Sequence, residues 1–307
     1  MTIITRDVRV AVDVLSRGGV VAIPTETVYG LAARADNSAA IQRVFDIKGR
    51  PRNHPLIVHV ASLESAHDYG VFDETSNALA NVLWPGPLTL IVPRRPAASD
   101  EITGGRDTVA IRVPSHPLTL TLLEILGTAL VAPSANRFGM VSPTSAQHVE
   151  DDLGRDVDAI LDGGSCEIGV ESTIVDCTTR PVQILRPGAI SETDIESVLH
   201  EPPAPATGPS RAPGMLTSHY APRCAVEMFE ILHDAEERQR TLFEHGKSAC
   251  IVDRSENAIE CARHLYADLR KCDDESFDAA LFVMPPHTGI GRAVRDRLTK
   301  AAAPRPS

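Results

Sequence analysis

The sequence predicts an α/β protein of two domains, and three observations carry that prediction. Short apolar runs rich in β-branched residues alternate with segments that gather apolar residues on one helical face. A length of 307 residues exceeds what one hydrophobic core comfortably serves. Between residues 201 and 222 the alternation stops at EPPAPATGPSRAPGMLTSHYAP, whose Pro, Ala, Gly and Ser content marks a linker stiffened by proline. Residues 1–200 are read as a domain with a mixed sheet, 201–222 as the linker and 223–307 as a small open-sheet α/β domain.

Residues 5–17 put Val8, Val12 and Leu15 on one helical face and stop at Gly18 and Gly19. The run 20–23 reads as a buried strand ended by Pro24. Asn37 is a natural N-cap for a helix over 38–46, which runs out at Lys48, Gly49, Arg50 and Pro51. A strand follows at 56–60, a helix at 75–83 stopped by Trp84-Pro85-Gly86-Pro87, and strands at 88–92 and 108–113. A helix over 116–126, a strand at 129–132 and the turn Pro133-Ser134-Ala135-Asn136 come next. Thr144 can cap a helix to about Leu153. Strands at 159–161, 172–176 and 182–185 precede a closing helix over 191–199. Beyond the linker the pattern is strand, helix, strand, helix, an apolar run at 279–283 and a last helix from Gly291.

Composition excludes several classes. With 30 Lys and Arg against 41 Asp and Glu the formal charge is −11, which argues against a broad basic face for nucleic acid and leaves room only for a local basic pocket. The amino-terminal MTIITRDVRVAV lacks a signal pattern and no apolar run reaches membrane-spanning length, so a soluble cytoplasmic protein is expected. Six cysteines at 166, 177, 224, 250, 261 and 272 form no CxxC pair and no zinc-site spacing, and are expected to be reduced thiols. GxxxxGK[ST], GxGxxG after a strand, HExxH and GxSxG are all absent, and no Ser, His and acid stand on a recognisable elbow for covalent catalysis.

What remains is a recurrence of cations and hydroxyls at strand and helix ends. Lys48 and Arg50 flank a glycine past a helix, where they either clamp phosphate oxygens or simply complement the helix dipole. Arg112, inside the apolar IRVP strand, needs either a carboxylate ligand or a structural ion-pair partner, since an unpaired buried charge costs several kcal/mol, roughly. His59 on LIVHV poses the same choice between ligand and hydrogen-bonded core residue. Ser134 and Asn136 lie on a turn after a strand, suited to a ligand or to turn chemistry alone. Ser172 follows Gly163, Gly164 and Gly169, and Arg186 stands at a strand end before a Pro-Gly stop. A nucleotide and a small polar substrate sharing one crevice would account for the set.

PTETVYGLA, KGRPRNHPLIVHV, WPGPLTLIV, VAIRVPSHP, PSANRFGMVSPT and GVESTIVD, in this order, resemble the YrdC-like threonylcarbamoyl-AMP synthase family. PGMLTSHYAP followed by a small α/β domain resembles its long, two-domain branch. The resemblance runs from Asp7 to Ala303. It implies a twisted mixed α/β sheet around a large concave cavity, and formation of threonylcarbamoyl-AMP and pyrophosphate from L-threonine, bicarbonate and ATP. Magnesium held with the nucleotide is the implied cofactor, with no protein metal site assigned. A tRNA threonylcarbamoyl transferase complex is the implied downstream partner, modifying adenosine beside the anticodon.

Matched position by position, Lys48 and Arg50 correspond to the family's Lys-x-Arg signature and are the implied catalytic pair. Ser134 and Asn136 correspond to its Ser-x-Asn. These line the implied ATP site with His54, Thr108, Ser142 and Arg186, and Tyr220 of the linker reaches back over the cavity. Thr27, His59, Arg112, Ser172 and the main chain at Ala132 correspond to the threonine site. The chain departs from the family at Pro133, where many members have threonine, and at Thr217 and Ser218, which replace a more basic pair. A carbamoyl-group transferase and an RNA-binding module are the alternatives; the missing CxxC speaks against the first and the negative charge against the second. The C-terminal domain could organise a homodimer, regulate the linker or bind a partner.

Overall fold

The computed structural model describes residues 2–207 and 220–304. The first unit runs β1 (Ile3–Thr5), α1 (Val8–Ser16), β2 (Val21–Ile23), β3 (Gly30–Arg34), α2 (Ser38–Lys48), β4 (Ile57–His59), α3 (Leu63–Ala66), α4 (Glu74–Leu83) and β5 (Leu88–Pro93). It continues with α5 (Asp100–Thr103), β6 (Thr108–Arg112), α6 (Pro117–Leu126), β7 (Leu130–Val131), α7 (Ala146–Leu153), β8 (Ala159–Leu161), β9 (Thr173–Asp176), β10 (Gln183–Arg186), α8 (Glu192–Leu199) and β11 (Ala204–Pro205). The second unit is β12 (Ala225–Phe229), α9 (Leu232–Glu244), β13 (Ala249–Asp253), α10 (Ala258–Asp274), β14 (Ala279–Val283) and α11 (Gly291–Ala302).

Among the described residues the first unit forms one mixed eleven-stranded sheet, ordered β1-β8-β2-β3-β7-β4-β6-β5-β9-β10-β11. Side-chain alternation along each strand divides its two faces. Val20, Ala22, Leu31, Val58, Ile111 and Val131 turn to the main core under α2, α4 and α7. Their neighbours Val21, Ile23, Ala32 and Leu130 turn to the opposite face under α1 and α6, and Ile57, Ala110 and Ile174 form a further apolar strip. The same parity carries His59 beside Ile57 and Arg112 beside Ala110. Because β4 and β6 pair in parallel with His59 opposite Arg112, the two side chains arrive at the same level.

Several sequence expectations change. The first helix starts at Val8 rather than residue 5, because residues 3–5 pair with β8 and Asp7 accepts from the Arg9 amide as N-cap. The strand β3 was not anticipated: Gly, Leu, Ala, Ala and Arg carry weak strand propensity, and pairing with β2 and β7 makes them one. The short helices α3 and α5 were likewise missed. Ser145, not Thr144, caps α7, its side chain accepting from the His148 amide. Within the Pro-rich segment, residues 204–205 form β11 against β10; Thr217 and Ser218 lie outside the described residues.

The second unit is a parallel three-stranded sheet ordered β12-β14-β13. On one face α9 packs Ala235 and Leu242 on Leu281 and Val283 of β14. On the other, α10 and α11 pack on Ala280 and Phe282 in a cluster that also takes in Val28, Val141, Val170 and Tyr220. The two units thus share a core along the α10/α11 face. Gly169 sits there at φ +83, and a Cβ on it would meet the Ala262 carbonyl oxygen at 2.4 Å. The expectation of six reduced thiols is corrected: Cys250 of β13 and Cys272 of α10 form a disulfide with Cα atoms 6.6 Å apart. Their separation of 22 residues matches no motif, and only the packing of α10 on the sheet brings them together.

Asn37 accepts from the Ala40 amide at one end of α2, and Gly49 closes the other in the left-handed conformation at φ 62. Since α2 delivers Lys48 and Arg50 to the site, Asn37→Ala is expected to lower unfolding free energy by about 1 kcal/mol, read as a shifted urea midpoint at constant slope, with Asn37→Asp close to wild type.

Candidate active site

A pocket opens on the sheet face opposite the main core, walled by the ends of β4, β6 and β10, the residues before β9 and the turns after β2 and β7. Counted to its open mouth it holds about 600 Å³. Thr27, Arg50, His59 and Arg112 line it, with Ala132 and Ser134 on one side and Ser172, Arg186 and Tyr220 on the other.

On the Thr27 side the polar groups are tied to one another. Arg112 Nη2 lies 2.6 Å from Glu26 Oε1, with both side chains buried. Its Nη1 donates to Thr27 Oγ1 at 3.0 Å and its Nε to the Gly86 carbonyl at 3.2 Å. Of the two readings open for Arg112 the ion pair is therefore observed, and its partner Glu26 was not singled out from the sequence. Burial would raise the Glu26 carboxyl, but the adjacent Arg112 charge holds it below the usual range. His59 Nδ1 faces the Ile57 carbonyl at 3.1 Å; a carbonyl only accepts, so Nδ1 carries the proton and Nε2 keeps its lone pair. Burial, then the Arg112 charge, push this imidazole down to about 3, so it is neutral.

On the other side Arg186 donates from Nε to the Ser172 carbonyl and from Nη2 to Ser172 Oγ, both at 3.0 Å. Ser172 Oγ also meets Thr89 Oγ1 at 2.8 Å. Arg50 donates from Nη2 to the Pro55 carbonyl at 3.0 Å and stacks 5.7 Å from the Phe138 ring. Its buried Nε has no hydrogen-bond partner among the described residues. Burial lowers the guanidinium to about 10, which leaves it charged at neutral pH. With Glu26 neutralising Arg112, Arg50 and Arg186 are the cations that give this wall its positive field.

Five predicted residues stand outside the lining. Lys48 is buried behind the turn, where Nζ donates to the Ser134 and Asn136 carbonyls at 2.5 and 2.6 Å; burial, then Arg50, push its pKa well down. Asn136 donates to the Arg137 and Met140 carbonyls at 2.7 and 2.8 Å, and its buried Oδ1 has no hydrogen-bond partner among the described residues. Ser142 donates to Glu171 Oε1 at 2.7 Å. His54 packs edge-on against Phe138, with ring centroids 5.4 Å apart. Thr108 opens β6 opposite Pro93. Sequence reasoning missed Glu171 in the lining and Glu26 as the partner of Arg112, although both lie inside quoted motifs, GVESTIVD and PTETVYGLA. Among the described residues no group of three His, Cys, Asp or Glu side chains converges to hold a metal ion, and no helix is long and apolar enough to cross a membrane.

Comparison with known proteins identifies the family and the fold. The Sua5/YciO/YrdC family model, described as telomere recombination, matches residues 13–188, and the model described as threonylcarbamoyl-AMP synthase, C-terminal domain, matches residues 190–303. Threonylcarbamoyl-AMP synthase of Pyrococcus abyssi is 39% identical over 318 residues, covering 96% of this chain and 94% of that protein. The protein of the same name from Bacillus subtilis is 38% identical over 331 residues, covering 96% and 92%. The crystal structure of P. abyssi Sua5 complexed with L-threonine superposes with a TM-score of 0.93 at 37% identity, covering 98% of this chain and 97% of that one.

The His59 shift has a stability consequence. Below the ordinary imidazole value of 6.5 the unfolded chain takes up a proton that the folded chain refuses. Its contribution to stability is complete above pH 6.5 and is lost as pH falls toward about 3. His59→Gln is expected to flatten that part of a stability-versus-pH curve measured by denaturant titration; an unchanged slope would assign the acid sensitivity to other groups.

Proposed function

The chain belongs to the Sua5/YciO/YrdC family, and from that premise we propose that it catalyses L-threonine + bicarbonate + ATP → threonylcarbamoyl-AMP + pyrophosphate + water. The observation that carries the reading is the pocket, where hydroxyls and a neutral histidine on one side face two charged guanidinium groups on the other. It is an enzyme whose product serves modification of tRNA beside the anticodon. A separate transferase complex accepting that product, and a cytoplasmic setting, belong to the same proposal.

Threonine is assigned to Thr27, His59, Arg112, Ser172 and the main chain of Ala132, the threonine carboxylate lying toward Arg112, which Glu26 keeps in place. The Nε2 lone pair of His59 accepts from the amino group, but a base with a pKa of about 3 cannot strip an ammonium ion. The amine therefore enters the reaction uncharged. Its nitrogen bonds the bicarbonate carbon and water departs, leaving a carbamate. A carbamate oxygen then attacks the α-phosphorus, the bond to the β-phosphate oxygen breaks, and pyrophosphate leaves with that electron pair. No protein nucleophile is required, since positioning and charge stabilisation supply the acceleration.

ATP is assigned to the Arg50 and Arg186 side, with Ser134, Asn136, His54, Thr108 and Ser142 around it and Tyr220 as cover. Arg50 Nε, without a hydrogen-bond partner among the described residues and carried by a side chain that lines the pocket, is the atom a nucleotide would satisfy. Lys48 acts here through the turn: its two bonds to carbonyls hold Ser134 and Asn136 in register. Magnesium would arrive with the nucleotide and would supply neutralisation of phosphate charge, since Glu171, the carboxylate in the pocket lining, is already ion-paired with Arg297. Filling of the pocket by both substrates would exclude water and protect the carbamate and the adenylate.

Mass spectrometry of products from threonine, bicarbonate and Mg-ATP is expected to show threonylcarbamoyl-AMP and pyrophosphate; carbamoyl phosphate alone, or no product, overturns the assignment. Arg50→Met is expected to lower kcat/KM for ATP by about 100-fold, the loss of one charge-assisted phosphate contact in a dry site. Pyrophosphate release at the wild-type rate in Lys48→Ala would remove Lys48 from the account.

A further inference from the structure

Arg297 of α11 is completely buried, a full domain away in sequence from the pocket it approaches. Its Nε donates to Glu171 Oε2 at 2.9 Å, its Nη2 to the Pro187 carbonyl at 3.0 Å and its Nη1 to Asp296 Oδ2 at 2.6 Å. Its guanidinium carbon stands 5.4 Å from the centre of the Tyr220 ring. Glu171 and Tyr220 line the pocket, and Pro187 directly follows Arg186, which grips Ser172. Four lining residues are thus within one step of a single side chain contributed by the second unit. A clamp serving only the interface would have no need of a carboxylate that opens onto the pocket.

We propose that Arg297 is a positioning residue for the reaction: by fixing Glu171, Tyr220 and the segment carrying Arg186, it makes docking of the C-terminal unit a condition for a working substrate pocket. The proposal rests on the synthase reading given above for what the pocket binds. It assigns the C-terminal unit a direct role in shaping the pocket.

The groups facing Glu171 make the role testable by pH. From α11 comes Arg297, itself held by Asp296, which also meets Lys300 at 2.8 Å. From α10 Tyr266 donates its hydroxyl to the carboxylate, 2.8 Å from Oε2 and 3.0 Å from Oε1. Ser142 donates to Oε1, Arg186 faces it from β10, and Tyr220 lies against Arg297. Burial would raise this carboxyl, yet the charges of Arg297 and Arg186 with the hydrogen bonds from Ser142 and Arg297 bring it down to about 2. Without Arg297 the first of the opposing charges is gone and burial is met only by Arg186 and the remaining hydrogen bonds, so the carboxyl moves up from about 2. Glu171 would then protonate as pH falls through its new value, and activity would fall with it.

The test uses the full-length chain as Arg297→Met, Arg297→Lys and Glu171→Gln/Arg297→Met, with kcat and KM for threonine followed across pH. Hydrogen exchange is read at the Ala221 amide, which donates to the Gly139 carbonyl at 3.0 Å, against the Asp278 amide of the distal C-terminal sheet. Arg297→Met is expected to raise KM at least tenfold, to add an acidic limb to kcat/KM that the double variant lacks, and to speed exchange at Ala221 while Asp278 keeps its protection. Arg297→Lys retains the charge without the fork, so its pH profile stays flat while KM and Ala221 exchange still rise, and it decides the matter if the Met variant does not fold. Wild-type KM and wild-type exchange in either folded variant overturn the proposal, as does an equal loss in single and double variants with no pH limb. If the wild type makes no threonylcarbamoyl-AMP, the synthase reading fails, while the exchange comparison still decides whether Arg297 holds the cover.

Discussion

Arg112, Arg186 and Arg297 lie buried around one pocket, and burying a guanidinium without counter-charge would cost several kcal/mol each, roughly. Glu26 and Glu171 supply that charge. Glu26 meets Arg112 at 2.6 Å, and Glu171 takes Arg297 at 2.9 Å with the field of Arg186 beside it. The two carboxylates are what allow a chain of formal charge −11 to keep a small positive cavity. They also direct where the positive field falls: Glu26 neutralises Arg112, whereas Arg50 Nε has no hydrogen-bond partner among the described residues. Charge is thus uneven along one pocket.

The sheet makes this arrangement geometrically possible. Alternation along β4 and β6 sends Val58, Val109 and Ile111 into the main core while His59 and Arg112 emerge opposite each other on the pocket face. The polar residues are buried without weakening the core because they occupy the other parity of the same strands. Behind the wall, Lys48 exchanges water for two backbone carbonyls and ties α2 to the Ser134 and Asn136 turn. A side chain that reads as a surface cation in a Lys-Gly-Arg loop is therefore a strut in the fold, which explains why burial rather than exposure governs it.

The C-terminal unit enters the same logic through packing. Its α10/α11 face continues a hydrophobic cluster with Val28, Val141, Val170 and Tyr220, and Arg263 and Arg270 donate to the Glu167 and Val141 carbonyls across the junction. Tyr220, held at φ 62 beside Tyr266 and Arg297, lines the pocket at this junction.

By itself the sequence determined the α/β class, the interleaved order of most elements, the linker composition and, through motifs, the family and many residues of the wall. These follow from local causes: Asn37 and Gly49 cap α2 by their own geometry, and apolar period marks β5 or α10 wherever they pack. Tertiary structure decided which partner each buried charge found. Glu26 and Arg112 lie in separate elements far apart in the chain, as do Glu171 and Arg297, and Cys250 and Cys272 join a strand to a helix. It also decided that residues 30–34 are a strand, since Gly30, Ala32 and Ala33 have little propensity of their own and become one only between β2 and β7. Pairing energies of this kind depend on burial and on the far partner, and neither quantity is carried by the residue types along the chain.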